Sequence, residues 1–178
     1  MNLPLRKYTR LAGENYVGFR FYFVTLCCFG GKRIFVDAGH CEKVLELLQR
    51  ECALRSFAVH AYCVMPNHFH FLCEGVEPGS DFLRLMMSFR IKSSRHFAKE
   101  RGGVLWQRWY YEHILRRNEG AELVAWYIWL NPVRQGLVSK AEEYRWAGSF
   151  TGWKMPTSWN EEGWRPPWKG RGRLSGKE

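Results

Sequence analysis

The chain has 178 residues, 46% of them hydrophobic, which supports one domain with a real core and excludes a disordered chain. A formal net charge of +10 suits a partner made of phosphates or an anionic membrane surface, and a solvated basic surface explains it equally well. The longest apolar run, FRFYFVTLCCFG, carries Arg20 and is too short to span a bilayer, which leaves no membrane-spanning segment.

Residues 1–18 are polar and basic and read as an arm, with no apolar stretch of a secretory signal in MNLPLRKYTR. Residues 19–28 are rich in Phe, Tyr, Val and Thr and predict a strand, closed by the turn GGKR at 30–33. HCEKVLELLQRECALR (40–55) places Val44, Leu47, Leu48, Cys52 and Leu54 near helical spacing. FAVHAYCVM (57–65) is a second strand, the Pro66-Asn67 pair a turn, and HFHFLCE (68–74) a third strand. A helix capped by Ser80 or Asp81 runs to about Lys99, and RGG at 101–103 breaks it. YYEHILRR (110–117) is a fourth strand. A helix over 118–131 follows, with Asn118 as its cap and Pro132 ending it. The order β-α-β-β-α-β predicts a ferredoxin-like α+β sandwich: an antiparallel sheet with helices on one face, plus an extra C-terminal helix. The domain spans 1–152. Residues 153–178 form a basic Trp/Pro-rich tail with four of the nine Trp.

From Arg84 to Arg117 nine Lys/Arg face two Glu, and Trp106, Trp109, Tyr110 and Tyr111 lie in the same stretch. Cations contact phosphates and aromatic faces stack unpaired bases, so this region points to nucleic acid with a single-stranded or unpaired part. Arg90, Lys92 and Arg95 on the second helix, with Arg116, Arg117 and Arg134 flanking the third, are the candidate phosphate contacts. A solvated helix face accounts for any one of them as well.

Chemistry concentrates at MPNHFHF (65–71). Residues i and i+2 of a strand share a face, so His68 and His70 project together while Phe69 and Phe71 enter the core. Two imidazoles side by side suit one divalent cation, and two ordinary strand histidines fit the spacing equally. Cys73 has the opposite parity and Cys63 lies across the turn, which makes zinc held by cysteines a minor alternative. No CxxC pair occurs among the six cysteines, which read as buried, reduced thiols of a cytosolic protein. The chain is short for a metal-hydrolase barrel, has only Asp37 and Asp81 for a two-carboxylate nuclease, and lacks a P-loop. Phosphodiester chemistry then needs a nucleophile. In WYIWLNPVRQGLV (126–138), Tyr127 and Asn131 lie at i and i+4 on one helix face. The residues alone favour a core aromatic at Tyr127 and a helix-ending Asn-Pro pair.

VMPNHFHFL, LWQRWYYEHILRR and WYIWLNPVRQGLV, in this order, resemble the REP-associated tyrosine transposases, single-tyrosine members of the HUH endonuclease superfamily. The resemblance covers roughly residues 15–150. It implies a divalent metal, Mg²⁺ or Mn²⁺, held by His68 and His70 with help from Asn131. It implies Tyr127 as the nucleophile that cleaves and rejoins single-stranded DNA beside a REP-like hairpin, through a 5′-phosphotyrosine link. It further implies a cytoplasmic, nucleoid-associated protein, monomeric or homodimeric. Glu112-His113 stands where the family often has Asp-His. Two other readings keep the same fold: a hairpin-binding regulator without catalysis, and an RNA-binding domain.

Overall fold

The computed structural model describes residues 13–116 and 119–155. β1 (Phe21–Cys27) and α1 (Ala38–Ala53) lead into the hairpin of β2 (Phe57–Met65) and β3 (His68–Gly75). α2 (Phe82–Arg101) and β4 (Tyr111–Ile114) follow, then α3 (Ala121–Trp129), the single turn α4 (Asn131–Arg134) and the short β5 (Ala147–Gly148). The strand order is β4-β1-β3-β2-β5, antiparallel throughout. The first four strands have the expected ferredoxin-like arrangement, and β5 extends one edge.

Local chemistry sets the ends of the long helices. The Asp37 carboxylate accepts from the His40 N–H at 3.0 Å to start α1, and Asp81 does the same for Arg84 at 3.0 Å to start α2. Gly102, at φ 70°, stops α2 in a conformation that a side chain disfavours. Both helices lie on one face of the sheet. Val44, Leu48 and Cys52 of α1 and Phe82, Leu85 and Phe89 of α2 bury against Val24, Phe69 and Phe71. Each such large side chain contributes about 1.5–3 kcal/mol on leaving water. Leu54 falls just past the end of α1 and is exposed, so the apolar stripe is one residue shorter than its spacing suggests. All six cysteines are buried free thiols.

The second face is covered by α3 and α4, and here three boundaries differ from expectation. β4 is shorter than 110–117, because the Glu119 carboxylate captures the Arg116 N–H at 2.8 Å and turns the chain. That turn delays the helix: α3 starts at Ala121 with Gly120 as its N-cap, while Asn118 and Arg117 lie outside the described residues. Pro132 does not end the helix. The break comes at Leu130, with φ −81° and ψ 0°, and Pro132 sits in the first turn of α4, where its missing N–H costs nothing. β5 gave no sequence signal. It pairs Gly148 with Tyr62, so closely that an added Cβ would meet the phenol oxygen at 2.6 Å. Among the described residues no helix is long and apolar enough to cross a membrane.

Candidate active site

The alternation of β3 decides which side chains reach the second face. Phe69 and Phe71 are fully buried under α1 and α2, and His68 and His70 emerge on the other side beneath α3 and α4. The two-residue turn at Pro66-Asn67 pairs Met65 with His68 and Cys63 with His70. β1 places Thr25 opposite His70, and β4 places Tyr111 opposite Thr25. One row across the sheet therefore reads Tyr111, Thr25, His70, Cys63.

The imidazole rings of His68 and His70 stand 4.7 Å apart, nearly perpendicular at 79°. They are buried, 6% and 3% exposed, and not open to water as paired strand histidines would suggest. Each has its Nδ1 engaged: His68 Nδ1 meets Asn67 Oδ1 at 2.7 Å, and His70 Nδ1 meets Thr25 Oγ1 at 2.8 Å. An amide oxygen only accepts, so His68 carries its proton on Nδ1 and a bare lone pair on Nε2. That Nε2 is buried and has no hydrogen-bond partner among the described residues. Burial pulls the His68 pKa down to about 4, so the ring is neutral, the form that ligates metals. A donor atom this costly to bury fits a divalent cation, and the Asn67 and Thr25 contacts are the supports that ligating histidines normally have. Among the described residues no three His, Cys, Asp or Glu side chains cluster as a metal site, so a third ligand from these residues would be of another type. Asn131 is such a residue: it is buried at the start of α4, one turn beyond Tyr127. Cys63 shares the face, and burial pushes its thiol far above the ordinary range.

Tyr127 hangs from α3 over this row. Its ring meets Phe23 edge-on at 5.9 Å and lies 6.5 Å from His70. Burial raises the phenol pKa, and Arg134 opposes that rise. The Arg134 guanidinium sits 4.1 Å above the Tyr127 ring and donates to the Tyr127 carbonyl at 2.6 Å. A cavity of about 250 Å³ lies beside His68, lined also by Arg33, Asn67, Gln135 and Leu137.

The other candidates scatter. Arg90, Lys92 and Arg95 lie on α2, across the sheet from the histidines. Arg90 donates to the carbonyls of Gln107 and Arg108, and Lys92 pairs with the buried Glu51, whereas Arg95 is exposed. Arg116 is exposed at the end of β4, and Arg117 lies outside the described residues. Tyr111 faces the histidine side and Tyr110 packs towards the other core. His113 is held by Glu119 at 2.8 Å. Thr25, Asn67, Arg33 and Gln135 escaped the sequence reading. Asn67 adjoins His68 and was open to notice, whereas Thr25 needs the β1-β3 register to be known.

Residues 21–130 match the family model for IS200-like transposases. A Haemophilus influenzae protein named "Putative REP-associated tyrosine transposase" is 24% identical over 107 residues, which span 54% of this chain and 61% of that relative. A second protein of the same organism, named only "Uncharacterized protein", is 25% identical over 159 residues, 72% of this chain and 88% of its own. The fold matches the solved structure of a REP-associated tyrosine transposase bound to a REP hairpin. The TM-score is 0.66 at 19% identity, covering 91% of this chain and 99% of that one. The resemblance carried by the three sequence blocks thus holds in fold and family: the chain belongs to the IS200-like transposases.

Proposed function

We propose that the chain cleaves and rejoins single-stranded DNA beside a hairpin, with Tyr127 as nucleophile and His68, His70 and Asn131 as ligands of Mg²⁺ or Mn²⁺. One observation carries the reading: the unpartnered, neutral Nε2 of His68 lies beside His70 on the face that Tyr127 covers. The hairpin is taken from the solved relative, which was bound to one.

A bound divalent cation supplies charge neutralisation at the scissile phosphate. Asn67 and Thr25 hold the two imidazoles in orientation. Arg134 fixes the Tyr127 ring from above and favours its phenolate. Tyr127 Oη attacks phosphorus, its proton passes to solvent, and the bond to the 3′ oxygen breaks as that oxygen takes a proton from solvent. The products are a 5′-phosphotyrosine and a 3′-OH. A second 3′-OH reverses the step, forms a new phosphodiester and returns the phenol. One ester replaces another, so no nucleotide hydrolysis is required.

The test incubates the full chain and Mn²⁺ with a single-stranded DNA library of hairpins with short flanks, followed by a denaturing gel. A covalent protein–DNA band is expected, lost in both Tyr127→Phe and His68→Ala. Hairpin binding without a band in either metal would instead identify a non-catalytic regulator. Preference for the RNA version of the hairpin would favour an RNA-binding domain.

A further inference from the structure

A second cavity, of about 350 Å³, opens on the outer side of α3, lined by Glu122, Trp126, Trp129, Trp153 and Lys154. That size falls within the range of small-ligand pockets. Glu122, Trp126 and Trp129 stand at i, i+4 and i+7, one stripe of the helix. Two of the three indoles are held in place. Trp129 is 1% exposed and donates its ring N–H to the Gly148 carbonyl at 2.8 Å. Trp153 lies 4.4 Å from the ring of His60, which is itself gripped by Glu74 at 2.8 Å and Thr151 at 3.0 Å. The Trp153 backbone N–H donates to Ser149 Oγ at 3.2 Å. The Trp153 wall is therefore set before any ligand arrives, and the buried Trp129 backs the cavity without offering a stacking face. Glu122 and Lys154 are exposed and form no ion pair or hydrogen bond with a described residue.

We propose that this cavity takes one unpaired guanine of the single-stranded DNA, and this rests on the reading of Tyr127 as a DNA nucleophile. Indole faces stack any base. The carboxylate makes the choice: it only accepts hydrogen bonds, and guanine alone presents two adjacent donors, N1–H and N2–H, on its Watson–Crick edge. Adenine and cytosine offer one amino group beside an acceptor, and thymine sets a carbonyl on each side of its single N–H. Lys154 supplies a cation for the neighbouring phosphate. Charge complementarity and continuity favour DNA over other planar ligands. The chain carries a net +10, and the cavity is built on α3, the same helix that carries Tyr127.

The test is fluorescence anisotropy of a labelled hairpin with a single-stranded flank, titrated with the full chain. Each flank guanine is replaced in turn by inosine, which lacks the 2-amino group. One position is expected at which inosine weakens binding about tenfold, and Glu122→Gln should abolish that difference. Trp153→Ala should weaken the guanine strand by about tenfold or more, and Trp153→Phe should restore most of it. Glu122 is exposed, so its variant remains informative if Trp153→Ala fails to fold. Indifference to inosine at every position, or a preference unchanged in Glu122→Gln, overturns the guanine site. The Tyr127-dependent covalent band separates the two readings. A band with no guanine preference refutes the cavity alone, and a wild-type chain that neither binds nor forms a band refutes both.

Discussion

The two faces of the sheet are built to different rules. Under α1 and α2 the interior is apolar, and its buried charge is answered: Glu51, fully buried, meets Ser88, Lys92 and Arg55. Under α3 and α4 the interior holds two histidines, two tyrosines, an asparagine and a thiol, and His68 Nε2 meets no partner among the described residues. Burying such groups costs free energy that apolar residues would not. The first face supplies the stability, and the second keeps polar groups that the proposed metal and DNA would use.

Exchanging the roles of the faces by substitution should fail in opposite ways. Tyr127→Phe removes one hydroxyl from the second face. Covalent adduct formation should fall by about a thousandfold or more, while thermal unfolding stays within a few degrees of wild type. Phe71→Ala, one residue from His70 but on the first face, should cost about 3–5 kcal/mol in a denaturant titration. A destabilisation by Tyr127→Phe as large as that of Phe71→Ala would erase the distinction.

Acid should find the second face first. His68 is held at about 4 in the fold against 6.5 for the free side chain, so between those values the unfolded chain binds a proton that the folded chain does not. Stability of the metal-free protein should therefore fall as pH drops from 6.5 towards 4, by up to about 3 kcal/mol, and His68→Gln should flatten that slope. The smallest effect belongs to a supporting residue. Asn67→Ala should weaken Mn²⁺ binding by about 10–100-fold in calorimetric titration, with little change in melting temperature.

Much of this division was legible in the residues. The HFHF alternation separates core phenylalanines from site histidines without any structure, because strand parity is local. Asp81 announced the start of α2 for the same reason. Tyr127 was a different case: spacing puts it on one helix face with Asn131, the residues alone favour a core aromatic, and only the resemblance of three blocks assigns it the nucleophile's role. What stayed hidden depends on contacts between distant segments. The Thr25 contact to His70 needs the pairing of β1 with β3. The seat of Arg134 on Tyr127 needs the break at Leu130, which the sequence pattern places two residues later, at Pro132. Burial of the histidines needs α3 to cover the second face, and a sandwich with helices on one face does not require that.

The most direct measurement locates the covalent bond. The full chain is reacted with hairpin DNA and Mn²⁺, trimmed with nuclease and protease, and the peptides are sequenced by tandem mass spectrometry. The account predicts a nucleotide phosphate on Tyr127 and on no other tyrosine. A phosphate on Tyr111, which faces the same row, or on Tyr110, or no modified peptide despite bound DNA, would contradict it.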